Sequence, residues 1–140
     1  MNRPVLLDTG PLVAYLDRRD HFHEWTKTQF SRIRPPQLTC EAVVAEACFL
    51  LRHVSGGTQR VMDLLERRVI SIAFRLDSEL QVVTKLLVRY ANLPMSLADA
   101  CLVRMAEQLP RSVVLTLDHD FRVYRMNVRQ VIPTLMPERR

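Results

Sequence analysis

The sequence predicts an α/β fold built on a central, mostly parallel sheet of about five strands, with helices on both faces. Three observations predict it. Short β-branched or aliphatic runs alternate along the chain with longer segments of helical period. Most of the runs are rich in β-branched and aliphatic residues, as strands buried on both faces are. The prolines and the Gly56-Gly57 pair stand at the edges of these segments, where they punctuate elements without breaking them. Strands alternating with helices in this way close into a parallel sheet covered on both sides.

The first run, Val5–Leu7, leads straight into Asp8. A helical pattern follows over residues 21–31, then a short strand, Gln37–Thr39, and a second helix over 41–52. A third helix covers 58–67 and feeds a strand at 69–74. Two more helices, 78–90 and 97–109, carry apolar residues at three- and four-residue spacing. Ser78-x-x-Gln81 and Ser96-x-x-Asp99 both have the form of a capping box, which locates their starts. The closing strands are 113–117 and a brief one at 131–132.

At 140 residues and 48 % hydrophobic content, the chain is predicted to be one domain spanning 1–140 with a real core. No run of about 18 uncharged apolar residues exists, so no membrane span is expected. Asp8 interrupts the apolar N-terminal run before a secretory leader could form, and the expected location is the cytoplasm. Cys40, Cys48 and Cys101 form no CxxC pair and read as reduced core residues. His21 and His23 are two apart and would point to different faces of a helix, so a zinc site is not expected. The net charge is +5, and among the 20 basic residues only Lys27 and Lys85 are lysines. Arginine suits phosphate, but charge alone does not decide the function.

The informative residues are acids placed where apolar runs end. Asp8 follows the first strand and Asp118 follows the strand at 113–117. Parallel strands share a C-terminal edge, and ligands bind there, so Asp8 and Asp118 should be neighbours if their strands are. The helix at 97–109 feeds the next strand through a short turn, which places Asp99, at its start, on the same edge. The helix at 41–52 begins just after Thr39, so its early turns and Glu46 belong near that edge too. Glu46 is flanked by Ala42, Val43, Phe49 and Leu50, a costly setting for an unpaired carboxylate. Each acid also has a structural reading: Asp8 and Asp99 as helix caps, Asp118 as a turn former, Glu46 as the partner of a buried arginine. Asp17, Asp20 and Glu41 read as solvated or capping residues, and His21 and His119 as surface side chains. Four carboxylates converging on one edge would repel one another unless a cation sat among them. A hard divalent ion, Mg²⁺ or Mn²⁺, suits such a set.

The segments LLDTGPLVAYLD, CEAVVAEACFLL, MSLADA and VLTLDHDF, in that order, resemble the signature segments of PIN domains, and the resemblance spans the chain. It implies an α/β/α sandwich and a metal-dependent nuclease site whose catalytic and metal-binding acids are Asp8, Glu46, Asp99 and Asp118. Thr9 and Thr116 match accompanying hydroxyl positions. Asp120 competes with Asp118 for the fourth place, and Asp118 is preferred because it closely follows the strand. The implied reaction is hydrolysis of RNA phosphodiesters by metal-activated water. A chain of this length resembles VapC-type toxins of bacterial toxin–antitoxin pairs, which implies a homodimer and a protein antitoxin as partner. The alternative is a PIN-like RNA-binding or scaffold module without cleavage. The Asp8-Thr9-Gly10 triplet also heads aspartic protease sites, but that fold is nearly all β. A receiver-type signalling domain needs a lysine after a late strand, and neither lysine is placed for it.

Overall fold

The computed structural model describes residues 2–138. The chain begins with β1 (Val5–Leu7), α1 (Thr9–Leu16), α2 (His23–Arg32), β2 (Gln37–Thr39) and α3 (Glu41–Leu50). It continues through α4 (Gly57–Glu66), β3 (Ile70–Ile72), α5 (Leu80–Arg89), α6 (Leu97–Gln108) and β4 (Val113–Leu115). Three two-residue strands close it: β5 (Arg125–Met126), β6 (Gln130–Val131) and β7 (Thr134–Leu135).

Five strands form one parallel sheet, as the alternation of runs and helices predicts, and their order is β3-β2-β1-β4-β7. The central strand β1 and its inner neighbour β4 are buried at every residue, which is why they read as unbroken apolar runs. Their register pairs Val5 with Val113, Leu6 with Val114 and Leu7 with Leu115. Helix α6 packs against α3, α5, β1 and β4, and Ala98, Ala100, Cys101, Leu102, Val103, Met105 and Ala106 are all buried. Burial on nearly every side holds its N-terminus firmly at one edge of the sheet. Cys40 and Cys101 are buried thiols and Cys48 is half-buried, with no disulfide among them.

The structure corrects several expectations. Helix α1 has no counterpart in the periodicity reading, because Gly10-Pro11 reads as punctuation. Pro11 sits at the third helical position, where its missing N–H costs no hydrogen bond. The Ser78-x-x-Gln81 capping box does not form. Ser78 ends a 3-10 turn, Leu76–Ser78, and α5 starts after Glu79, whose carboxylate is engaged by Arg104 at 2.5 Å. The last strand of the sheet is Thr134–Leu135 and not 131–132. Val131 is 62 % exposed and belongs to the separate antiparallel pair β5–β6, while Ile132 is buried outside any strand. The regular spans of β3 and β4 are shorter than the apolar runs that contain them, because their ends continue as single ladder bonds such as Ala73 N–H to Thr39.

Candidate active site

The strand order reverses between β1 and β4: the chain runs outward from β1 through β2 and β3, then returns to β4 on the other side. Open parallel sheets bind ligands at the C-terminal ends of strands flanking such a switch point. Asp8 immediately follows β1 there, and Asp118 lies just past β4. A concavity of about 370 Å³ occupies this edge, and Asp8, Glu46, Asp99 and Asp118 all line it, with Thr9, Gly10, Ser96 and Leu117 between them. A methyl group on Gly10 would stand 3.3 Å from Leu117 Cβ, so glycine lets the start of α1 approach the end of β4 closely.

Asp8 is the most buried of the four, at 5 % exposure. It caps α1: its Oδ1 accepts the Thr9 N–H at 2.8 Å, and its Oδ2 accepts the Thr116 hydroxyl at 2.6 Å. Burial pushes its carboxyl up to about 7, against the pull of the Thr116 and Thr9 hydrogen bonds, and the charges of Asp99 and Asp118 push the same way as burial. Thr116 Oγ1 also accepts the Asp118 N–H at 2.9 Å, so one hydroxyl links the two strand ends.

Asp99 opens α6 in a complete capping box. Ser96 Oγ accepts the Asp99 N–H at 3.0 Å, and Asp99 Oδ2 accepts the Ser96 N–H at 3.1 Å. The Tyr124 hydroxyl donates to the same Oδ2 at 3.3 Å. Capping and site geometry therefore coexist: both bonds use Oδ2, which leaves Oδ1 available. Burial, with Asp118's charge adding to it, raises the Asp99 carboxyl above its ordinary range against the Ser96 bond. Tyr124 was not singled out in the sequence, because its partner lies 25 positions away. The available signal is its chemistry, since a fully buried tyrosine hydroxyl needs an acceptor.

Asp118 caps the 3-10 turn His119–Arg122, accepting the Asp120 N–H at 2.9 Å. Asp120 lies outside the lining of the concavity; its carbonyl accepts the N–H groups of Val123 and Tyr124. Glu46 lines the concavity but is exposed, so the expectation that apolar neighbours bury it is wrong. Phe49 and Leu50 are themselves 61 % and 42 % exposed, and α3 carries part of its apolar surface outward. Of the remaining acids, Asp17 and Asp20 accept backbone N–H groups in the turn after α1, and Glu41 is exposed.

The donor chemistry of the site fits a hard divalent ion: four carboxylates, no cysteine or histidine, and one orphaned hydroxyl. Thr9 Oγ1 is buried beside Asp8 with no hydrogen-bond partner among the described residues, a polar atom left for something that enters the site. Among the described residues no three acidic, histidine or cysteine side chains already form a ligand set. Binding an ion therefore needs side-chain movement, which the exposure of Glu46 permits.

A family model described as the PIN domain matches residues 5–126. No curated protein matches the chain. Among solved structures it is similar to VapC20 of Mycobacterium tuberculosis, described as a sarcin–ricin loop cleaving toxin. That likeness has a TM-score of 0.70 at 20 % sequence identity and covers 85 % of this chain and 93 % of that one. At this identity it shows a common fold.

Proposed function

Because this chain belongs to the PIN-domain family, we propose that it is a divalent-metal-dependent endoribonuclease that hydrolyses phosphodiester bonds of single-stranded or structured RNA. The observation that carries the reading is the meeting of four carboxylates around one concavity at the switch point of the sheet. An Mg²⁺ or Mn²⁺ ion bound there would activate water and stabilise charge developing on the phosphate. Asp8 is the fixed acid, held from both sides by Thr9 and Thr116. Asp118 is tied to it through Thr116, and Asp99 offers its free Oδ1. One of the acids would also take the proton from water, and the exposure of Glu46 supports that role for it.

Within that reading the chain is the toxin of a toxin–antitoxin pair, with RNA as substrate and a protein antitoxin as partner. The support is its fold likeness to a toxin that cleaves the sarcin–ricin loop. The cytoplasm is the proposed location, and among the described residues no helix is long and apolar enough to cross a membrane. A homodimer remains part of the proposal. Of the α2 aromatics, Phe30 stacks on Tyr15 at 4.0 Å and Trp25 is half-buried against the core, so α2 presents no continuous apolar face for a second copy.

The chemistry is tested by end-group analysis of RNA cleaved in Mn²⁺. Attack by water with departure of the 3′ oxygen leaves 5′-phosphate and 3′-hydroxyl ends, and those are expected. Ends bearing 2′,3′-cyclic phosphate would mean attack by the ribose hydroxyl and would overturn the metal-hydrolytic reading.

A further inference from the structure

A second concavity, of about 690 Å³, opens beside the acids. The segment leading into α2 supplies His21 and Phe22, and the first turn of α2 supplies Trp25. The segment after β4 supplies Leu117 and His119, the two residues flanking Asp118. Leu117 also lines the concavity of the four acids, so the two spaces adjoin across a single side chain. The aromatic wall is built into the fold: Trp25 packs against the core, and His21 meets Phe22 edge-on with ring centroids 4.8 Å apart. His21 and His119 are exposed, so their ring nitrogens are accessible.

From this geometry we propose that the aromatic concavity is a nucleobase subsite, receiving one unpaired base of an RNA strand whose adjacent phosphodiester lies at the four acids. The proposal rests on the nuclease reading above and deepens it, because it names unpaired RNA as the substrate class. Bases splayed from a single strand stack on tryptophan, phenylalanine and histidine rings, and they do so with little regard to sequence because every base has a π-face. The two imidazole edges add hydrogen-bonding groups for the rim of a base. The volume is that of a small-molecule site, with room for a base and its ribose. The sharing of Leu117 sets the reach: a phosphate on one side of it and a base on the other lie within one nucleotide of the strand. A base held in a duplex cannot enter without leaving its stack and its pair.

Trp25 is the one tryptophan of the chain, so fluorescence excited selectively at tryptophan reads this site alone. The full chain is titrated in EDTA with oligoadenylate, with oligouridylate and with tripolyphosphate. Quenching by both oligonucleotides and not by tripolyphosphate is expected. In cleavage assays with Mn²⁺, Trp25→Leu keeps apolar bulk but removes the ring; KM for single-stranded RNA should rise about tenfold with kcat within about twofold, and Trp25→Phe should restore KM. Fluorescence unmoved by either oligonucleotide, or equal quenching by tripolyphosphate, overturns the subsite, and that arm needs no variant. A chain that cleaves RNA while its fluorescence ignores RNA keeps the nuclease reading and leaves the concavity to a protein segment. Quenching by oligonucleotides without cleavage in any divalent metal sustains the subsite and removes the nuclease reading.

Discussion

Thr116 donates its hydroxyl hydrogen to Asp8 at 2.6 Å across the junction of β1 and β4, while the same oxygen accepts the Asp118 N–H at 2.9 Å. A side chain with one donor and two lone pairs thus fixes the positions of two acids from different strands. Thr116→Val keeps the shape and removes both bonds. Asp8 then loses a charge-assisted hydrogen bond in a buried setting, and its carboxyl should move still higher. Outer residues that orient acidic ligands typically cost about 10- to 100-fold in activity when removed, and that loss is expected here. Thr116→Ser should keep most of the activity. Wild-type rates in Thr116→Val would show that this hydroxyl positions nothing the reaction uses.

The raised carboxyl of Asp8 makes metal-free stability depend on pH. The folded state holds the proton up to about 7, whereas the unfolded chain releases it near 3.8. The contribution is therefore fully present below pH 4 and is lost as pH rises towards 7, by on the order of a few kcal/mol. Asp99, also raised, acts in the same direction. Melting of chelated protein between pH 4.5 and 7.5 should show stability falling with pH, and Asp8→Asn should flatten the slope. An upward slope over that window in the wild type contradicts the burial of Asp8.

Asp99→Asn separates capping from ligation, two roles that meet in one carboxylate. Asparagine keeps an oxygen for the Ser96 N–H and the Tyr124 hydroxyl but removes a charge that burial disfavours. The metal-free variant should melt higher than the wild type while losing activity. Added Mn²⁺ should raise the wild-type melting temperature and move the variant much less, because the ion binds only the assembled site. A lower metal-free melting temperature with an intact Mn²⁺ response would make Asp99 a helix cap and nothing more.

Asp118 and Asp120 are two residues apart, but only Asp118 lines the concavity. Asp118→Asn should abolish cleavage, with its Oδ1 still able to accept the Asp120 N–H so that the turn survives. Asp120→Asn should leave substantial activity. The opposite ranking, measured on the same RNA, would transfer the fourth acid to Asp120.

The parallel sheet was legible in the chain because its strands alternate with helices and because β1 and β4, buried on both faces, are written in unbroken aliphatic residues; the order of its strands was not. The edge where the acids meet followed from chain direction: short connections leave α6 only one way to run, and that puts Asp99 beside the strand ends. What stayed hidden depends on long-range packing. Thr134-Leu135 has no apolar run to mark it as a strand, since it pairs at the rim of the sheet and is half-buried. Helix α1 has no periodic pattern of its own across Gly10-Pro11, although Asp8 does cap it, as one reading of that acid had it. The exposure of Glu46 was misjudged because an apolar neighbour in sequence is not a buried neighbour in space. Phe49 and Leu50 leave the core on the same stretch of α3.

We propose that the four acids hold a divalent ion that RNA cleavage requires. The most direct test is the rate at which a chelated, contaminant-checked preparation cuts single-stranded RNA, with and without added Mn²⁺, beside Asp118→Asn prepared identically. Cleavage should stop in EDTA, return when Mn²⁺ is restored, and stay absent in the variant under both conditions. Undiminished cleavage by the chelated wild type, or equal cleavage by Asp118→Asn, would contradict the account.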